Sequence, residues 1–478
     1  MLGTNNDQGD QIGYDVSEDC LALNVVRPAG SEGQNLPVAV WIHGGGYIMG
    51  GATDRRYNLS FIVHNSVEIG KPIIAVSIAY RLSAWGFLDS AEIRQEGVTN
   101  IGMHDQRKAL YWIQENIAAF GGDPTKVTIW GESAGAGSVG IHLIAYSGRD
   151  DKLFRGAICE SGNSILLGTE NYDVSDGQAI YDNITTATGC ASSSDTLSCI
   201  RNLDFTTLNA AFNITPSYGF YPYEDGSLIQ GSQYDQLNNG AFIKVPLIDG
   251  ANTDEGTAFG PRGINNDTAF GAYLTETGGK KPLTETEVAI LEAVYPNLPA
   301  VSDVLYELPL DYQFNSTYGY QYRRAVAFGG DFAFHAARRL QCQSWSKQNV
   351  SAYCYRFNVV VTPLTPFIAS THFQEVAFVF NNLDGLGYAV NPFLGQPQSY
   401  TALSELMSRM WVSFVHDGDP NGHGVSGAEE WPAYDIEAGG GVGYDYFFDV
   451  NDTHAEMDSW RGEGIAYLNT LWKSAYGR

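Results

Sequence analysis

Two continuous apolar runs limit what this chain can fold into more than any other feature. Pro37-Val38-Ala39-Val40-Trp41-Ile42 and Pro72-Ile73-Ile74-Ala75-Val76-Ser77-Ile78-Ala79-Tyr80 carry almost no polar residue at either parity. A strand with one wetted face alternates, whereas a strand without alternation must be covered on both sides. A helical pattern follows over about 105–119, where Leu110, Ile113 and Ile117 share one face. Phe120-Gly121-Gly122-Asp123-Pro124 supplies its stop. Strand-like runs recur at 21–26, 126–129, 155–159, 245–250, 353–361 and 446–450, with helical stretches at 322–348, 403–415 and 456–473. Buried strands alternating with helices predict an α/β protein with a mostly parallel, doubly wound sheet. Reactive groups in such sheets collect at the carboxyl ends of the strands. The chain has 478 residues, 44% of them hydrophobic, and neither a repeat nor a low-complexity linker divides it. The expectation is one domain with a helical, loop-rich excursion over about 163–370.

Both ends at which chemistry would sit carry glycine. The first apolar run leads into His43-Gly44-Gly45-Gly46-Tyr47. Consecutive glycines leave backbone N–H groups unobstructed, as an oxyanion hole requires. The strand at 126–129 leads into Trp130-Gly131-Glu132-Ser133-Ala134-Gly135, and small residues follow to Ile144. Gly-x-Ser-x-Gly between a strand and a helix is a nucleophile elbow, with Ser133 at the tip and the N–H of Ala134 at a helix N-terminus. In a chain this rich in glycine the serine motif is weak alone, and the glycine run upstream is the more specific signal.

A serine hydrolase further requires an acid and then a histidine downstream. The run 245–250 ends near Asn252-Thr253-Asp254-Glu255-Gly256, where Asp254 and Glu255 are equal candidates by chemistry. Five histidines follow: His335 inside a predicted helix, His416 at a helix end, His423 and His454 in polar turns, and His372 after a strand and loop. His372 has the most suitable placement, but residue type and spacing leave the choice open.

The overlapping Gly135-Ala136-Gly137-Ser138-Val139-Gly140 imitates a dinucleotide fingerprint, with Glu160 downstream. It begins too late, because Gly131–Ala134 already fill the strand-to-helix turn; its glycines are expected to let helix and sheet pack closely. No His-Glu-x-x-His, paired Cys-x-x-Cys or P-loop lysine occurs, so neither metal nor cofactor is expected. A formal net charge of −27 argues against nucleic acid or an anionic membrane as partner. No apolar run is long enough to span a bilayer. Cys190 and Cys199 bracket a short polar loop, and a bridge there would contribute about 2.5–3 kcal/mol in the chain-entropy model. Cys342 and Cys354 could pair, Cys159 reads as a buried thiol, and Cys20 has no evident partner. Seven sequons, at Asn58, Asn183, Asn213, Asn266, Asn315, Asn349 and Asn451, point to secretion. The polar start Met1-Leu2-Gly3-Thr4 carries no leader pattern, so the expectation is that the chain lacks its native N-terminus.

The chain resembles the type-B carboxylesterase/lipase family of α/β-hydrolases, in particular its fungal lipases and esterases. The resemblance is carried by Ser17-Glu18-Asp19-Cys20-Leu21-Ala22-Leu23-Asn24-Val25, His43–Tyr47, Tyr80-Arg81-Leu82-Ser83-Ala84-Trp85-Gly86-Phe87, residues 100–124 and Gly131–Gly135. It continues through Met410-Trp411, Gly418-Asp419-Pro420-Asn421 and Trp431-Pro432. It implies the α/β-hydrolase fold and hydrolysis of carboxylic esters or acylglycerols through an acyl-enzyme. It selects Glu255 over Asp254, because the family places Glu just before this glycine. It also selects His372, through His372-Phe373-Gln374-Glu375 and the aromatic run beyond. Ser133 is then the nucleophile, with Gly45, Gly46 and Ala134 holding the oxyanion and Glu132 and Ser161 bordering the triad. Family members also carry a segment before Ser17 with the cysteine that pairs with Cys20. In fungal lipases that bridge anchors a lid. The expectation is that this part is missing, which would leave the mouth uncovered and an inactive product conceivable. Non-catalytic adhesion relatives of the fold usually lack the serine or histidine that this chain has.

Overall fold

Among the described residues, nine strands build one sheet: β1 (Leu23–Val26), β2 (Leu36–Ile42), β3 (Ile74–Ile78), β4 (Gly122–Glu132), β5 (Gly156–Glu160), β6 (Leu247–Asn252), β7 (Ala352–Phe357), β8 (Tyr444–Phe448) and β9 (His454–Met457). The computed structural model describes residues 16–165, 171–213 and 219–478. The polar stretch up to residue 15 and the Thr215 of the Asn213 sequon lie outside them. The strand order is β1-β3-β2-β4-β5-β6-β7-β8-β9. The two edge pairs, β1–β3 and β8–β9, are antiparallel; every inner pair is parallel. This is the α/β-hydrolase arrangement.

The apolar runs behave as their lack of alternation requires. All seven residues of β2 are buried. Val38, Val40 and Ile42 join Ile74, Val76, Ile129, Leu110, Ile113 and Val139 on one face. Ala39 and Trp41 join Trp130, Tyr355, Phe378 and Trp411 on the other. From β2 the chain crosses to β3 on one side and then to β4 on the opposite side. The loops after β2 and β4 therefore diverge at the carboxyl edge, which is where an open α/β sheet forms its crevice.

The expected helix at 105–119 forms as Ile101–Asn116 with a 3-10 turn at Ile117–Phe120, closed by Gly121 at φ +88°. The long helix expected over 322–348 is continuous in direction but is built as Tyr322–Gly330, a π-helical turn at Asp331–His335, and Ala336–Lys347. β6 and β7 lie inside the 163–370 stretch, so that stretch twice returns to the sheet. Two expectations near the C-terminus fail. His454 opens β9 instead of sitting in a turn, and the last helix spans Gly462–Ser474, so Glu456 is in β9. Pairing with β8 takes that segment (Tyr446 opposite Ala455, Asp445 opposite Glu456), and Arg461 in the left-handed region sets the start of the helix. His423, also read as a polar turn residue, is buried and accepts from the Val425 N–H at 3.0 Å. Disulfides join Cys190 to Cys199 and Cys342 to Cys354; Cys159 is a buried thiol and Cys20 an exposed one.

Candidate active site

Ser133 sits between the end of β4 and a helix that begins at Ala134, with φ 57° and ψ −124°. No regular element holds such a residue, so the turn depends on its neighbours. A Cβ on Gly131 would lie 2.5 Å from the carbonyl carbon of Gly135, and one on Gly135 would lie 2.0 Å from the Ile42 carbonyl oxygen. Both glycines are therefore steric necessities. The Ser133 N–H donates to the Glu160 carbonyl at 2.8 Å, and the Ser133 carbonyl accepts from Gly137 N–H at 2.9 Å. Later along the same helix a Cβ on Gly140 would meet the Asn163 carbonyl carbon at 2.3 Å. Gly135 and Gly140, two of the glycines that imitate a nucleotide motif, thus serve close packing.

The glycine run lies across the crevice. Gly45, Gly46 and Tyr47 have φ of +102°, +63° and +62°. A Cβ on Gly44 would be 2.9 Å from the Ser133 Cβ, which puts the run directly against the serine. Three consecutive glycines, Gly44 to Gly46, thus line this side of the serine without side chains, and the helix that begins at Ala134 starts beside them. Such a concavity suits an anion.

Asp254 and Glu255 part company in three dimensions. Asp254 accepts from the backbone N–H groups of Leu305 (2.7 Å) and Ser370 (3.1 Å), stapling two loops together. Glu255 faces the crevice. Its Oε2 lies 2.7 Å from His372 Nδ1, and its Oε1 accepts from the Asn252 N–H (3.0 Å) and Ser161 Oγ (2.5 Å). The imidazole is fully buried, stacked on Phe334 and met edge-on by Phe259. Its orientation is thus fixed by one carboxylate and two rings, and Nδ1 is assigned as the donor. His372 Nε2 makes no hydrogen bond among the described residues; its nearest charged neighbour is Glu132 Oε1 at 3.1 Å. The structure therefore brings Glu255, Ser161, His372 and Glu132 into one cluster beside Ser133, without a hydrogen bond between serine and imidazole. Of the other downstream histidines, His335 borders the cluster without joining it, its Nε2 donating to the Asn252 carbonyl at 3.0 Å, and His416 meets Asp417 on the surface.

Two acidic side chains join this cluster that the sequence reading gave no part in it. Glu160 Oε1 accepts from the indoles of Trp130 (2.7 Å) and Trp411 (2.5 Å), and Glu375 accepts from Asn252 Nδ2 at 2.5 Å. Both are buried completely. Their only sequence signal was place: Glu160 precedes Ser161, and Glu375 lies three residues beyond His372. Burial lowers the basicity of His372, but Glu255 and then Glu132 more than reverse this, raising it to about 9. Burial pushes Glu132 up to about 8, with His372 opposing and Glu375 and Glu255 adding to the rise. Glu375 rises to about 7, first through burial and then through Glu255. Carboxyls crowded in a dry site cannot all ionise, so protons are retained there. Among the described residues no cluster of three or more His, Cys, Asp or Glu is arranged to hold a metal ion.

A strained serine at the end of β4, a glycine loop after β2 and a carboxylate-bound histidine from later loops define a serine ester hydrolase on an α/β-hydrolase sheet. Comparison with known proteins agrees. The model of the carboxylesterase family matches residues 2–451. Secreted lipase 1 of Botryotinia fuckeliana (strain B05.10) is 35% identical over 432 residues, covering 87% of this chain and 71% of the relative. Lipase 2 of Diutina rugosa is 34% identical over 435 residues, covering 87% and 73% respectively. The crystal structure of Aspergillus niger EstA superposes with a TM-score of 0.80 at 29% identity, over 100% of this chain and 88% of that one. The chain belongs to the carboxylesterase family and is an ester hydrolase.

Proposed function

We propose that Ser133, His372 and Glu255 hydrolyse carboxylic esters, acylglycerols included, through an acyl-enzyme. The observation that carries the reading is the 2.7 Å contact of Glu255 with His372 Nδ1 beside the serine elbow. Ser133 Oγ attacks the ester carbonyl carbon while its proton passes to His372 Nε2. The carbonyl oxygen becomes an oxyanion facing the N–H groups of Gly45, Gly46 and Ala134. Collapse expels the alcohol, which takes the proton from Nε2; water then repeats the sequence and frees the acid. Glu255 orients the ring and stabilises the imidazolium, and Ser161 holds Glu255. Glu132 flanks Nε2 and adds to the basicity of the ring. The chain acts as a single catalytic domain.

The lipase names of the relatives support acylglycerols as substrates, and the disulfides and sequons support an extracellular setting. Among the described residues no helix is long and apolar enough to cross a membrane. Ser133→Ala is expected to abolish hydrolysis of p-nitrophenyl butyrate and labelling by a fluorophosphonate; undiminished turnover would falsify the assignment. A series of p-nitrophenyl esters of rising chain length beside a triacylglycerol emulsion reads the acyl preference.

A further inference from the structure

The block Tyr80–Phe87 carries part of the family likeness yet contributes no group to the triad. It grips the glycine loop at three points. The Tyr80 hydroxyl donates to the His43 carbonyl at 2.8 Å, at the start of the loop, and its ring stacks on the His43 imidazole with centroids 4.5 Å apart. The Ser83 N–H donates to the Tyr47 carbonyl at 2.7 Å, at the far end of the loop. The Phe87 ring meets the Tyr47 ring edge-on at 5.0 Å.

The grip is itself anchored. Arg81 forms a two-pronged ion pair with Asp105, both contacts at 2.7 Å, and the Asp105 carboxylate also accepts from the Arg81 N–H at 3.1 Å. Gly86 and Gly102 close on the block so tightly that a Cβ on either would lie 2.1 Å and 2.6 Å from the Arg81 carbonyl oxygen. Inside the loop the backbone bonds are two turn contacts to the Gly45 carbonyl, from Ile48 (3.2 Å) and Met49 (3.1 Å). His43 is neutral, held down to about 4 by burial, and its Nδ1 contacts the Gly44 carbonyl at 2.9 Å. A run of glycines has little conformational preference of its own, so the direction of its N–H groups must be imposed from outside. The contacts at His43 and Tyr47 bracket the amides of Gly45 and Gly46.

We infer that Tyr80–Phe87 is a brace that aims the oxyanion N–H groups, and that the Tyr80 hydroxyl is its principal positioning group. This rests on the proposed role of Gly45 and Gly46. Donors that must meet a developing oxyanion within hydrogen-bond distance lose much of their effect when turned by a fraction of an ångström, whereas ground-state ester binding depends on them little.

The test is Tyr80→Phe, which keeps the stacked ring and removes only the hydroxyl. Active sites are titrated with a fluorophosphonate so that turnover is expressed per competent site. Expected are a kcat about 10-fold lower, a KM within about 2-fold, and a Ki for a trifluoromethyl ketone raised by the same factor as kcat falls, because that inhibitor forms a tetrahedral adduct. A merely structural role would lower melting temperature and titratable fraction while leaving kcat per site and Ki in place; that result overturns the brace. Asp105→Asn loosens the block from its other side and carries the test should Tyr80→Phe not fold: kcat and Ki must again move together, and unchanged values overturn the proposal. Ser133→Ala in parallel separates the two readings. If it remains active, the triad falls; if it is inactive while Tyr80→Phe matches the parent, only the brace falls.

Discussion

His372 stands between two carboxylates that it does not share equally. Glu255 bonds Nδ1, and Glu132 faces Nε2 without a hydrogen bond. In the proposed mechanism His372 is the general base and must be neutral, so a basicity raised to about 9 places the acid limb of the rate profile high. Removing the Glu132 charge lowers the basicity of the ring, and Glu132→Gln is expected to move the acid limb of kcat/KM to lower pH; a limb that stays in place contradicts the electrostatic reading. Glu375 gives a stability prediction. Its folded value of about 7 lies above the ordinary 4.5, so between these values the unfolded chain holds fewer protons than the native one. By linkage, this group makes stability fall as pH rises through that window. Glu375→Gln retains an oxygen for Asn252 and removes the titration. Urea unfolding of the variant should lose less stability than the parent from pH 4.5 to pH 7.

At the scale of elements, close approach of helix and sheet fixes the elbow. The helix after Ser133 packs so tightly that Gly131, Gly135 and Gly140 face backbone atoms at distances no side chain tolerates. Gly140→Ala, remote from the chemistry, is expected to lower unfolding stability by about 1–3 kcal/mol, or to prevent folding, as judged by urea denaturation. Replacing Cys190 and Cys199 together by serine should cost about 2.5–3 kcal/mol by the same measurement. The strands of the inner sheet were legible because burial on both faces writes a continuous apolar run. The β8–β9 hairpin was not, because the residues of β9 are only partly buried and carry no comparable pattern. Edge pairing, a tertiary event, took Glu456 and Met457 from a helix-like stretch, and the turn after them delays the helix to Gly462.

For the molecule as a whole, 54 acidic against 27 basic residues set a field that repels anions. The rate constant kcat/KM for an anionic ester should rise with added sodium chloride, while that for a neutral ester of the same acid stays nearly level, because screening removes repulsion only where the substrate is charged. Equal salt responses would show that the charge lies too far from the crevice to steer. The same sheet that buries both apolar faces brings residues 43–47, 131–135, 255 and 372 to one carboxyl edge, although they are separated by hundreds of positions in the chain.

The sequence alone was enough for the layered α/β sheet, the glycine loop and the serine elbow, because each depends on local residue types: apolar continuity, absent Cβ atoms and a sharp turn. Which of Asp254 and Glu255 contacts His372 was not available from spacing, since adjacent carboxylates are chemically alike until one is taken up by the Leu305 and Ser370 amides. Nor could the sequence disclose that Glu375 crowds the histidine and Glu160 the acids around it, or that Tyr80 and Ser83 hold the glycine loop from both ends. Those relations join distant segments through burial and hydrogen bonding, and only the folded sheet decides them.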